Sequence, residues 1–190
     1  DYKRLLAYSS VEHMGILVLG IGIGGAGIFA ALLHVINNAF GKAVLFLAAG
    51  NIHRAFKSKR LEDVTGALRR VPLSAALFVA GFFAITGSPP FGPFVSELSV
   101  LLAAIGRHRY VIGALYLFLL AVVFIGMGST VFAVVQGNPP EDPAGTGFRD
   151  SASKTVPIFA ALGLVLLMGI WIPAPVSALL HDAARFLGGS

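Results

Sequence analysis

Long apolar runs separated by short polar segments constrain this chain more than any other feature. A helix that spans a membrane needs about 20 consecutive, mostly apolar residues. Runs of this kind predict an all-α integral membrane protein with transmembrane helices at about residues 5–23, 26–56, 72–106, 110–135 and 156–172. Residues 1–173 would form the transmembrane bundle, and residues 174–190 would form an amphipathic tail at the membrane surface.

The third run, residues 72–106, is too long for one simple span and contains Pro89, Pro90 and Pro93. Proline removes a backbone hydrogen-bond donor and clashes with the preceding turn of a helix. We therefore predict that this helix is broken within residues 86–94. Broken helices at membrane depth are tolerated where they line a cavity, and they often mark ion sites.

Composition excludes several classes of function. The chain has no cysteine, which rules out disulfides and thiolate metal sites within it. Its lysines and arginines lie between apolar runs rather than on one face, so we expect no nucleic-acid partner. No metal-ligand spacing, nucleophile elbow or phosphate loop is present, and we predict no metal, no cofactor and no catalytic centre in this chain. Because it begins at Asp1 rather than Met, we expect it to be a piece of a longer protein.

The distribution of cations predicts an orientation. If each run crosses the membrane once, ten cations fall on one side and three on the other, and only Lys42 belongs to neither. The positive-inside rule then places loop 57–70 in the cytoplasm and the C-terminus on the opposite side of the cytoplasmic (inner) membrane. The ten are Lys3, Arg4, Arg54, Lys57, Lys59, Arg60, Arg69, Arg70, Arg149 and Lys154, and the three are Arg107, Arg109 and Arg185.

Lys42 lies near the middle of the second run, too far from either end to reach water comfortably. His34, Asn38 and Lys42 recur at i, i+4 and i+8, which places them on one face of a helix. Because a charge at this depth costs at least about 2.5 kcal/mol, an ionisable residue there is by default a functional candidate. The stripe is also compatible with simple helix packing that tolerates the lysine.

Glu97 follows the proline-rich break, where a cavity is expected. A buried carboxylate can be neutral when dry and charged when wet or paired, as a proton carrier requires. A structural pairing with a cation such as Arg107 is the alternative. Glu12 and His13 lie inside the first helix near its cytoplasmic end, and they are candidates for proton access or for coupling to a neighbouring subunit. A plain interfacial pair would explain them equally well.

Three segments resemble one known family: DYKRLLAYSSVEHMG at residues 1–15, ALLH at 31–34 with KAVLFLAAGNI at 42–52, and GSPPFGPFVSE at 87–97. The family is the antiporter-like proton-translocating subunit of respiratory complex I, Mrp-type cation/proton antiporters and membrane-bound hydrogenases. The SVEH and SPPF variants are most similar to component F of hydrogenase-4 and formate hydrogenlyase-type complexes. The match covers most of residues 1–105, and the later helices agree mainly in character.

The resemblance implies a fold with two inverted repeats, each with one broken helix, of which this chain resembles the second repeat and the C-terminal helices. Lys42 would correspond to the central lysine, Glu97 to the acidic residue on the second broken helix, and His34 to the first histidine of the relay. The family commonly has a second histidine where this chain has Asn38, so a water would have to carry the proton there.

These observations together predict a proton-translocating membrane subunit that passes protons along a buried axis of Lys42, His34 and Glu97. The resemblance implies partners of two kinds, other membrane subunits and a peripheral redox arm, with no redox cofactor in this chain. Two alternatives remain open. One is a Na⁺ or K⁺/H⁺ antiporter subunit, and the other is a structural membrane module that conducts nothing.

Overall fold

The computed structural model describes residues 2–140 and 147–188, and within them every regular element is a helix. The helices are α1 (Tyr2–Ile23), α2 (Ala26–Phe56), α3 (Ala67–Arg70), α4 (Pro72–Ile85), α5 (Gly92–Gly106), α6 (Tyr110–Val135), α7 (Ala152–Ile170) and α8 (Ala174–Gly188). The predicted all-α fold is confirmed. Residues 1, 141–146 and 189–190, which the predicted bundle, linker and tail include, lie outside the described residues, as do the side chains of Lys3 and Arg4.

The broken helix is also confirmed. α4 ends at Ile85, Gly87 has a left-handed φ of 64°, and α5 begins at Gly92. Alone, α4 and α5 have 14 and 15 residues, which at 1.5 Å per residue is too short for a hydrocarbon core about 30 Å thick. The break ends earlier than predicted because Pro93 lies in the first turn of α5, where a helix has no use for the missing N–H.

α2 is the central element of the bundle. It packs against α1, α4, α5, α7 and α8, and buried residues occur along its whole length, from Gly27 to Ala55. The buried faces of such a helix can carry polar residues only if neighbouring helices satisfy them. The polar face of α2 therefore decides where a functional site can lie.

The outer surface of the bundle is apolar. On α6, large hydrophobic side chains recur at intervals of four and three residues and are between 50% and 83% exposed: Val111, Leu115, Phe118, Val122 and Ile125. Three helices, α2, α6 and α7, are long and apolar enough to cross a membrane, and Ser9–Ile23, α4 and α5 are shorter apolar helices. An exposed apolar stripe of this length is suited to lipid rather than to water.

The basic connector (residues 57–70) and the linker after α6 lie at the same end of the bundle. The Gly66 N–H donates to the Gln136 carbonyl at 2.7 Å, and the Thr65 hydroxyl donates to the Asn138 carbonyl at 2.9 Å. At the start of α4, the Asp150 carboxylate accepts hydrogen bonds from the backbone N–H groups of Leu73 and Ser74. The two polar segments between helices thus share one membrane side.

Candidate functional site

A chain of hydrogen bonds joins three helices in the centre of the bundle. His34 on α2 faces His13 on α1, with His13 Nδ1 and His34 Nε2 separated by 3.0 Å. On its other edge, His34 Nδ1 lies 2.9 Å from Ser96 Oγ on α5. All three side chains are at most 1% exposed. Each helix thus contributes one polar group to a path that water does not reach directly.

The hydrogen-bond partners assign a direction to this chain. The Ser96 hydroxyl lies 3.0 Å from the Pro93 carbonyl, which can only accept. Because a hydroxyl has one proton to give, Ser96 Oγ accepts from His34 Nδ1–H. A neutral His34 then accepts at Nε2, and His13 Nδ1–H donates to it. Each of the two side-chain contacts then has one donor and one acceptor, and both of their protons point from α1 towards α5.

Glu97 follows Ser96 on α5 and lies at the end of the path that faces the broken helix. It is 6% exposed, and its Oε1 atom has no hydrogen-bond partner. Its carboxylate lies directly against Gly87 in the break, so that a side chain at position 87 would collide with it. The break therefore provides the room that this carboxylate occupies. A buried acceptor without a partner is costly unless it is protonated or hydrated.

A second polar contact ties α2 to the first turn of α5. The Asn37 amide donates to the Gly92 carbonyl at 2.8 Å. A side chain at Gly92 would overlap the Asn37 amide, so glycine is required for this close approach. The Asn37 Oδ1 atom is buried without a hydrogen-bond partner. Unsatisfied oxygens of Asn37 and Glu97 therefore flank the start of α5.

Lys42 is held by hydroxyl groups rather than by a carboxylate. Its Nζ donates to Ser10 Oγ at 2.6 Å and to Ser9 Oγ at 3.1 Å, both on α1. Glu12 acts on it electrostatically, but within the described residues no carboxylate lies within ion-pair distance of Lys42. Its charge is thus exposed to the field of its neighbours instead of being neutralised in a tight pair.

The predicted stripe of α2 is present, but its members contact different partners. His34 bonds to His13 and Ser96, Lys42 bonds to serines on α1, and Asn38, 7% exposed, lies between them with its Oδ1 unpartnered. No hydrogen bond joins Lys42 to His34 or to Glu97 among the residues that the structure describes. Lys42 and His34 are about 12 Å apart along α2. Asn38 lies between them on α2, and His13 lies beside them on the neighbouring helix.

Glu12 lies beside the central path, within electrostatic reach of Lys42 and Glu97. It lines a cleft of about 430 Å³ between α1 and α6, whose walls are otherwise mostly apolar. Tyr116 lies in the same cleft, its hydroxyl is buried without a partner, and it is within electrostatic reach of both Glu97 and Glu12. Sequence patterns indicated neither Tyr116 nor Ser96 nor Asn37. A polar residue beside Glu97 and a tyrosine inside an apolar run were the only signals.

His13, His34 and Glu97 are also the one set of described residues whose donor atoms could converge on a metal ion, all within 4.8 Å of one another. Zinc requires unprotonated nitrogens at about 2.0–2.1 Å. In the assigned hydrogen-bond pattern, the His13 nitrogen that faces His34 carries a proton.

The sequence of this chain also matches known proteins. Residues 1–131 match the family described as NADH:quinone oxidoreductase/Mrp antiporter, transmembrane region. The hydrogenase-4 component F homolog of Methylacidiphilum infernorum is 35% identical over 93% of this chain and 36% of that protein. Subunit N of the NADH-quinone oxidoreductase of Desulforudis audaxviator is 32% identical over 88% of this chain and 36% of that protein. The chain thus spans little more than a third of the length of these curated relatives.

A solved structure shares the fold. A chain in the Mrp complex from Dietzia sp. DQ12-45-1b superposes with a TM-score of 0.80 and 23% identity, covering 96% of this chain and 42% of that one. The relatives are subunits of multi-subunit membrane complexes, and the apolar helices place this chain in a membrane. The resemblance seen in the sequence is confirmed. The chain belongs to the NADH:quinone oxidoreductase/Mrp antiporter family of transmembrane proteins.

Proposed function

We propose that this chain forms part of a proton-translocating subunit of a redox-driven membrane complex of the hydrogenase or NADH:quinone oxidoreductase type. This proposal rests on the buried hydrogen-bonded path that runs from His13 through His34 to Ser96. The path ends beside Glu97, whose Oε1 atom has no hydrogen-bond partner. Imidazole rings accept a proton at one nitrogen and release another from the second, so such a path can pass protons without moving the rings far. Glu97 would receive or supply the proton at the broken helix.

Lys42 would act as the switch of this path. Its ammonium group influences Glu12 and His13 through the electrostatic field, and it is held by two serine hydroxyls that do not neutralise it. Loss or gain of its proton therefore changes the energy of a proton on His13. Because Asn38 cannot titrate, a water bound to its free Oδ1 would bridge Lys42 to the histidines.

Transport measurements on the complete complex in sealed vesicles test this proposal. We expect proton uptake on addition of an electron donor, and none in response to a Na⁺ or K⁺ gradient alone. Uptake that follows only the cation gradient would identify an antiporter subunit instead. Absence of both would favour a structural module.

In the same assay, Glu12→Gln should slow uptake if the cleft between α1 and α6 is the point of proton access or of coupling to a neighbouring subunit.

The basic connector should face the cytoplasm, with this chain in the cytoplasmic (inner) membrane. The basic connector and the linker after α6 lie at one end of the bundle. Most cations of the chain lie at that end too. The chain has no cysteine, so single cysteines at Lys59 and Gly188 can be tested with a membrane-impermeant thiol reagent in intact cells. Gly188→Cys should react and Lys59→Cys should not until the membrane is opened. The reverse pattern would invert the proposed orientation.

A further inference from the structure

Two clefts adjoin at the end of the bundle opposite the basic connector. One, of about 450 Å³, lies between the turn before α2 and the end of α5, and the other, of about 510 Å³, lies between the start of α2 and α8. Ala26, Phe29 and Arg107 line both clefts, so the two form one continuous groove. This groove is separate from the path through His34.

The groove is electropositive. Only three cations fall at this end of the bundle by sequence, and two of them, Arg107 and Arg185, line the groove, together with His181. The Arg107 guanidinium lies against the backbone of Gly25, which has a φ of 55° and leaves no room for a side chain. Among the described residues, no carboxylate or other side-chain acceptor pairs with Arg107. Arg185 has one exposed partner, Asp182, at 3.8 Å, a contact of little strength in water.

The walls beside these cations are apolar and face outward. Phe29 and Leu102, the latter 58% exposed, line the groove below Arg107. On α8, Phe186 is 87% exposed and Leu187 is 56% exposed, as expected of an amphipathic helix whose apolar side meets lipid. Arg107 is the residue at the C-terminal end of α5, and the ends of membrane-spanning segments are expected near the lipid headgroups. Arg107, which has no side-chain partner among the described residues, and Arg185, whose pair with Asp182 is weak, lie beside an outward-facing apolar wall. Cations next to an apolar wall match the two parts of a phospholipid.

We propose that this groove binds an anionic phospholipid, with its phosphate between Arg107 and Arg185 and an acyl chain against Phe29 and Leu102. The arginines suit this role because the planar guanidinium donates two parallel hydrogen bonds to phosphate oxygens. The lipid would hold α8 against α2, where Phe29 and His181 stack with ring centres 4.3 Å apart. This site does not depend on the proposed proton path.

Native mass spectrometry of the full-length protein, exchanged into equal amounts of phosphatidylglycerol and phosphatidylcholine, tests the site. We expect bound phosphatidylglycerol to exceed phosphatidylcholine in the wild type. Each arginine near a headgroup contributes about fivefold in affinity, so Arg107→Gln with Arg185→Gln should abolish the preference. Arg109→Gln is the matched control, since Arg109 lies at the same end but lines neither cleft.

The remaining measurements separate the site from its alternatives. Arg107→Lys with Arg185→Lys should retain part of the preference, because the charges remain while the paired guanidinium hydrogen bonds are lost; this would show that charge rather than misfolding causes the loss in the glutamine variant. Inorganic phosphate at 10 mM should not displace the lipid; displacement would identify a free-anion site instead. The proposal would be overturned if the wild type showed no preference for phosphatidylglycerol, or if Arg109→Gln lost the preference as fully as the double variant. A wild type without preference would indicate that another protein segment fills the groove.

Discussion

Lys42→Met is expected to leave assembly of the complex near normal and to lower redox-driven proton uptake at least about tenfold, the scale of a lost proton-transfer group. Lys42 makes two hydrogen bonds to Ser9 and Ser10 and no close ion pair within the described residues. Its removal therefore leaves no buried carboxylate uncompensated, which is the usual cause of large destabilisation. The hydroxyls of Ser9 and Ser10 can rebond to the carbonyls of their own helix.

Glu97→Gln should have the same effect on uptake for a different reason. Glutamine preserves the volume that fits against Gly87, but it cannot accept and release a proton. Among the described residues no cation forms a salt bridge with Glu97, so the substitution breaks none. Asn38→His, which places a titratable ring between His34 and Lys42, should be tolerated, and it should not restore proton uptake to the Lys42→Met variant.

Quantitative blotting of the assembled complex and fluorescence-quenching assays of proton uptake are the two measurements. Lys57→Met, which removes an exposed cation from the connector, is the matched control and should leave both unchanged. Normal uptake by Lys42→Met would show that this lysine only packs α2 against α1. Loss of assembly in both Lys42→Met and Glu97→Gln would support a structural role for the polar path.

Local patterns in the sequence predicted most of the fold. Apolar runs and their spacing indicated the helices, and Pro89, Pro90 and Pro93 indicated the break, because proline acts on the backbone next to it. The period of 3.6 residues also placed His34 and Lys42 on one face of α2. All of these effects arise within a single helix or turn.

Contacts between helices could not be predicted in the same way. The pairing of His13 with His34 depends on how α1 packs on α2, and the sequence patterns placed His13 with Glu12 near an access point instead. Ser96 was not indicated because its role comes from a histidine 62 positions away. The sequence therefore singled out Lys42, His34 and Glu97 as candidates, and their role as a proton axis stays a prediction. The contacts of His34 with Ser96 and with His13 appear only in three dimensions.

The broken helix depends on one more residue that local patterns do not reveal. On α7, Gly169 lies against the break so closely that a Cβ atom there would be 2.6 Å from the Phe91 carbonyl carbon and 2.8 Å from the Gly92 nitrogen, and would also collide with the Pro90 carbonyl. All three neighbours are backbone atoms, which cannot rotate away as a flexible side chain can. Gly169→Ala must therefore displace the break or α7.

Gly169→Ala is expected to lower both thermal stability and proton uptake. Overpacking of this kind lowers the free energy of unfolding by about 1–3 kcal/mol. The displaced segment includes Gly92, whose carbonyl accepts a hydrogen bond from Asn37, and it leads along α5 to Glu97. Gly163→Ala on the same helix is the matched control, because a Cβ there meets nothing within 4 Å, and alanine should stabilise the helix slightly. Thermal unfolding in detergent and vesicle uptake measure the two effects. If Gly169→Ala matched Gly163→Ala in both, the close approach of α7 would not position the break, and Glu97 would be held by α2 and α5 alone.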